Sequence, residues 1–124
     1  MTNEEKFWMS VNIYHEARRE SSAGKIAVGQ VVLNRAKKRK QSIKDVILAS
    51  KQFSWHNGNK LPSITDYESF ILCMAAVDEL ITARIFGDFL DGADHYFNPN
   101  IVLPSWAKKM TFIMQIGNHS FYRS

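Results

Sequence analysis

The sequence is poor in the residues on which several protein classes depend. A single cysteine in 124 residues rules out an internal disulfide framework. That residue, Cys73, lies within an apolar helical pattern and reads as core packing, not as a catalytic thiol. No apolar run is long enough to cross a bilayer. The opening stretch, "MTNEEKFWMSVNIYHEARRE", puts acidic residues ahead of its apolar ones, unlike an export signal. The expectation is a chain made in a cytoplasm that carries no address of its own. There is no G-x-S-x-G nucleophile elbow, no glycine-rich phosphate loop, no internal repeat and no low-complexity tract.

What is present suffices for one domain, residues 1–124. This length buries a core without disulfides or metals. A net charge of +4 comes largely from "RAKKRK" (35–40), where five of six positions are Arg or Lys. Such a run complements a helix C-terminus as a solvated end. It also offers contact to an anionic wall polymer through Arg35–Lys40. No aromatic residues interleave with it as stacking platforms, so no specific nucleic acid is expected. The chain is expected to act as a monomer.

Helical periods dominate the first two-thirds. Phe7, Val11 and Tyr14 predict a helix over about 3–18. Ser21 and Ser22 can cap a second, through "AGKIAVGQVVLNRA", whose nearly all-round apolarity predicts a buried central helix. "SIKDVILAS" predicts a short third helix capped by Ser42. The segment 51–63, with Gly58 and Pro62, reads as a loop carrying aromatic and polar side chains. Thr65 or Asp66 caps a long fourth helix with a stripe at Phe70, Met74, Val77 and Ile81, stopped by Gly87. "GADHYFNPNIVLPSW" is too aperiodic for a helix. "MTFIMQIGNHSFYR" predicts a hairpin turning at Gly117-Asn118. Helices followed by a small β element make an α+β fold.

The stretch "YHEARRE" (14–20) begins like the zinc-peptidase helix H-E-x-x-H, but the second ligand position is Arg19, a cation. His56, His95 and His119 are scattered and share no ligand spacing. A zinc peptidase or amidase is thus a weak rival, and no metal or other cofactor is expected. Glu16 suits a different chemistry. Glycosidic bonds break when a carboxylic acid protonates the departing oxygen. Such an acid keeps its proton near neutral pH if it lies in an apolar, aromatic cleft. Periodicity alone equally permits a solvated helix glutamate.

Five blocks, in order, resemble the SleB-type cell wall hydrolases: "IYHEARRESSAGKIAVGQVVLNRA" (13–36), "QFSW" (52–55), "ADHYFNP" (93–99), "PSWA" (104–107) and "IGNHSFYR" (116–123). Each block alone is weak, but their order across nearly the whole chain is specific. The resemblance implies a lysozyme-like fold, mainly helical with a small C-terminal hairpin, and cleavage of the MurNAc–GlcNAc strand of peptidoglycan. It implies Glu16 as the acid catalyst. His15 and Arg19 depart from the small residues usual at those positions.

Around Glu16, Gln52, Ser54 and Trp55 are candidates for contact with sugar hydroxyls and a sugar face. Tyr96 and Asn98 offer a phenol and an amide to the cleft, or form a turn and core. His119 and Tyr122 flank the hairpin turn, as substrate contacts or as fold supports. Asn34 and Arg35 read as structural, in capping or ion pairing, and Trp106 as a core anchor. Hydrolysis calls for a second carboxylate at about 5–9.5 Å, with Glu20 and Asp94 as candidates. Without one, the C6 hydroxyl of the muramic acid attacks its own anomeric carbon and leaves a 1,6-anhydro end, the lytic transglycosylase route. A basic lytic domain without a leader fits a phage endolysin held in the host cytoplasm until a holin opens the membrane. The rival from another class is a non-enzymatic module binding anionic polymer through residues 35–40.

Overall fold

A computed structural model of the chain describes residues 1–49 and 63–124. Four helices, α1 (Asn3–Ala17), α2 (Ser22–Arg39), α3 (Ile43–Ala49) and α4 (Tyr67–Ala83), precede three short strands, β1 (His95–Phe97), β2 (Thr111–Ile116) and β3 (His119–Arg123). The caps explain the boundaries. Thr2 and Glu5 form a reciprocal capping box at the start of α1. Ser21 caps α2, Ser42 accepts from the Asp45 N–H, and Asp66 caps α4. Helix α2 ends where Lys40 turns left-handed, its N–H closing on the Ala36 carbonyl.

The core lies where α1, α2 and α4 cross. The contact point is Gly29 of α2: a Cβ there would stand 2.8 Å from Leu80 Cδ2 of α4 and 3.4 Å from Ile13 Cδ1 of α1. Only a residue without a side chain lets the three backbones approach so closely. Every residue from Met9 to Tyr14 is buried, so α1 shares the central place that apolarity assigned to α2. Cys73 is buried in this core. Of the predicted α4 stripe, Val77 is buried and Phe70 and Ile81 pack half-buried against the core. Met74 is exposed, and the buried line runs through Cys73, Ala76, Val77 and Leu80. Small residues at 73 and 76 let α4 sit close to its neighbours, and Met74 lies outside that line.

The hairpin β2–β3 turns at Gly117-Asn118, with Gly117 at φ 57°. A two-residue hairpin loop needs a positive φ here. The hairpin is one strand larger than predicted: "HYF" within the aperiodic segment pairs antiparallel with β3, giving the order β1-β3-β2. The sheet has two distinct faces. Tyr96, His119 and Phe121 pack together on the face toward the helices. Phe97, Tyr122 and Phe112 cluster on the other face, with Trp106 edge-on to both Phe97 and Tyr122. Trp106 thus anchors the sheet's outer layer. Among the described residues, no helix is long and apolar enough to cross a membrane.

Candidate active site

Helix α1 delivers Glu16 at the end of its buried stretch, where the chain turns toward α2. That turn is held by the Lys25 ammonium donating to the Glu20 carbonyl at 2.5 Å. Tyr96 reaches Glu16 from β1, and its hydroxyl donates to Oε2 at 3.1 Å. The Arg35 guanidinium, buried on α2, acts on both groups. Burial raises the Glu16 pKa to about 7, and the Tyr96 hydrogen bond and the Arg35 charge offset only part of that effect. Near neutrality this carboxyl is therefore poised between its acid and its base form. Burial and the neighbouring Glu16 lift the Tyr96 phenol well above its ordinary value, so it stays a donor.

Arg35 and Asn34 are fixed by the same segment. Arg35 Nε donates to the Asp94 carbonyl at 2.7 Å, and Asn34 Nδ2 to the Ala93 carbonyl at 2.8 Å. Their structural role is tethering α2 to the entry of β1, in place of the capping or ion pairing expected of them. For Arg35 that tether also positions a charge that acts on Glu16, an effect with no local signature in the sequence.

The two candidate second carboxylates are both engaged elsewhere. Glu20 accepts from the Asn118 backbone N–H and from its Nδ2, each at 2.9 Å. His119 Nδ1 stands 3.7 Å from Glu20 Oε1. Burial pushes the Glu20 carboxyl up, and the two Asn118 hydrogen bonds bring it below the ordinary value. Glu20 thus pins the hairpin turn to the α1–α2 junction. Asp94 is buried and accepts at Oδ1 from the Ser124 N–H and at Oδ2 from Lys38 Nζ, each at 2.9 Å; His95 Nδ1 lies 3.0 Å from Oδ1. Burial raises its pKa, but the hydrogen bonds from Ser124, His95 and Lys38 outweigh that and hold it well below the usual carboxylate range.

The remaining predicted contacts separate by position. Tyr96 and His119 lie beside Glu16 and Glu20, with their rings 5.2 Å apart. Tyr122 is on the opposite sheet face, stacked on Phe97 at 5.4 Å, and is not brought to Glu16. Asn98 Oδ1 closes a turn by accepting from the Asn100 N–H. Gln52, Ser54 and Trp55 lie outside the described residues. Arg19 is exposed, and His15 packs edge-on to Tyr14. Among the described residues, no three His, Cys, Asp or Glu side chains converge as metal ligands would.

Glu16 is thus a half-buried carboxyl with a raised pKa beside a phenol. A family model described as cell wall hydrolase matches residues 19–122, beginning just after Glu16. Among solved structures, the fold is similar to the catalytic domain of the germination-specific lytic transglycosylase SleB from Bacillus anthracis. The TM-score is 0.78 at 24% identity, covering 99% of this chain and 97% of that one. It is also similar to the catalytic domain of the SleB protein from Bacillus cereus, with a TM-score of 0.72 at 22% identity, covering 98% of this chain and 91% of that one. The comparison with curated proteins finds no match. With the family model spanning most of its length, the chain belongs to the cell wall hydrolase family.

Proposed function

We propose that the protein is a peptidoglycan lytic transglycosylase that uses Glu16 as its single acid and base. The observation carrying this reading is the contrast among its carboxylates. Glu16 is half-buried and titrates near 7, whereas Glu20 and Asp94 are consumed by hydrogen bonds. Protonated Glu16 gives its proton to the glycosidic oxygen, and the bonding pair of the C1–O bond leaves with the GlcNAc. Positive charge develops on the MurNAc ring. The C6 hydroxyl of the same sugar then bonds to C1 and returns its proton to Glu16, which closes the cycle without water. Holding both ends of the attack in one sugar gives the step a high effective molarity. The named activity of the Bacillus anthracis neighbour is in line with this chemistry. A turbidity assay on purified sacculi tests the assignment. Glu16→Gln should fold and lose at least ~10²-fold in rate, and near wild-type lysis by that variant would sink it.

The partner reading of "RAKKRK" takes a narrower form. Arg35 is buried and Lys38 holds Asp94, so the run is not one free patch. Lys37 instead shares a groove of about 980 Å³ with Arg84 from the end of α4. The groove's acidic side chains are occupied: Glu5 accepts from the Thr2 N–H, and Asp88 from the Leu90 and Gly92 N–H groups. An anionic wall polymer bound there, through Lys37 and Arg84, would hold the enzyme on its substrate.

The biological role we propose is that of a phage endolysin, made in the host cytoplasm and reaching the wall after a holin opens the membrane. In support, the chain belongs to the cell wall hydrolases, and an enzyme of that family would open the host wall once released. Expression with and without a co-expressed holin tests this: lysis should follow only when both are present, and lysis without a holin would overturn it.

A further inference from the structure

One buried polar group near Glu16 has no role in the chemistry above. Asn12 is 0% exposed, and neither its Oδ1 nor its Nδ2 has a hydrogen-bond partner. Few amides survive unpaired in a protein interior, and each that does calls for an explanation. Leucine has nearly the same shape and would fill this site without orphaned atoms. The position of Asn12 supplies a reason for the amide. It lies one helical turn before Glu16 on α1, at the i, i+4 spacing that puts two side chains on one face. Helical side chains lean toward the N-terminus, so the Glu16 carboxyl extends over the turn that carries Asn12. Glu16 Oε2 is taken by Tyr96, while Oε1 accepts from none of the described residues.

We propose that Asn12 is a positioning residue whose amide holds an ordered water beneath the Glu16 carboxyl, with that water donating to Oε1. A buried water commonly has two to four polar partners of this kind. Asn12 Nδ2 and Oδ1 provide two and the carboxylate a third. The bridge does two things. It fixes the rotation of the carboxyl, so that the proton is presented to the glycosidic oxygen. It also stabilises the anion that must form once the proton has been given up, because a hydrogen bond to the charged form lowers a pKa. The titratable and charged groups acting on Glu16 from the packed elements are Tyr96 of β1 and Arg35 of α2. Asn12 would add a third influence from beneath, on the carboxyl's own helix.

The inference rests on Glu16 being the acid, so its test reads the carboxyl itself as well as turnover. The Glu16 side-chain carbon is titrated by NMR in wild type, Asn12→Leu and Asn12→Ser, and the pH–rate profile is measured in parallel. Asn12→Leu should melt no lower than wild type. Its Glu16 titration and the basic limb of its rate profile should both move up by roughly half a unit or more. Its plateau rate should fall roughly tenfold, as expected when a reacting group loses its orientation. Asn12→Ser, which keeps a donor and leaves room for water, should return the titration to near the wild-type position. Coincident titrations in wild type and Asn12→Leu would overturn the inference. So would a failure of both variants to fold, since the amide would then be a structural element. If Glu16 moves on titration while Glu16→Gln retains lysis, the water bridge stands and the catalytic assignment alone fails.

Discussion

The Tyr96 hydroxyl donates to Oε2 of Glu16 at 3.1 Å, joining the first strand to the end of the first helix across 80 residues of sequence. A donor to a carboxylate favours the anion, so this bond opposes the burial that raises Glu16. The pair sets how tightly the acid holds its proton. Tyr96 is thus a partner of the Glu16 carboxyl, where the sequence suggested a sugar contact.

Tyr96→Phe removes that donor and keeps the ring packed against His119 and Phe121. The Glu16 pKa should rise above about 7, by on the order of one unit, the equivalent of ~1.4 kcal/mol. The basic limb of the pH–rate profile should move up with it. An unchanged limb would show that the hydroxyl does not act on the acid.

Stability should carry the mark of Glu16. Its folded pKa, about 7, lies above its ordinary 4.5, so the native state binds this proton more tightly than the unfolded chain does. The resulting stability is fully present below the ordinary value and is lost as pH rises through about 7. Because the group is only half-buried, the loss should be about 2–3 kcal/mol at most. Urea unfolding of wild type and Glu16→Gln should therefore nearly coincide at low pH. At pH well above neutral the variant should be the more stable of the two. Parallel curves throughout would contradict a raised Glu16.

Asp94→Asn and Glu20→Gln separate support from chemistry. Asp94 gathers Lys38, His95 and the Ser124 N–H in a buried position, so its loss should cost about 2–3 kcal/mol. The Asp94 contribution is present above the usual carboxylate range and is lost as pH falls below that range to its lowered folded pKa. Glu20→Gln should loosen the hairpin turn at Asn118 and lower the melting temperature. Under conditions where both variants are folded, turnover should stay within a few-fold of wild type. A loss comparable to that of Glu16→Gln in either variant would identify a second catalytic carboxylate.

The cationic groove predicts a difference between walls and fragments. Lys37→Gln combined with Arg84→Gln should weaken binding to intact walls and flatten its salt dependence. Turnover on short soluble glycans should barely change. Equal losses on both substrates would place these residues in the catalytic cleft instead.

Much of the local structure was legible in the sequence because it rests on neighbours in sequence. Ser21, Ser42 and Asp66 cap their helices as side chains of that type do, and Gly117-Asn118 turns the hairpin. Less was legible where partners are remote. The short "HYF" strand has no periodicity of its own and exists because β3 offers it an edge. Met74 lies outside the core because Gly29 fixes which line of α4 faces α2. In the site, the motif singles out Glu16, but nothing in the sequence distinguishes its hydrogen-bond partner Tyr96 from a sugar contact. The grip of Glu20 on Asn118 spans 98 residues and has no local signature. Lys38 looked like one cation in a run, and only its bond to Asp94 shows it to be structural.

The most direct measurement is the mass of the new glycan ends released from purified sacculi. A single acid and base at Glu16, with Glu20 and Asp94 engaged in support, predicts muropeptides that end in 1,6-anhydro-MurNAc, lighter by one water than hydrolytic products. Predominant reducing-end MurNAc would contradict that account: it would establish hydrolysis and require a second group that activates water. Reducing-end GlcNAc would move the cleavage to the other glycosidic bond. Free amines without new glycan ends would remove Glu16 from glycosidic chemistry altogether.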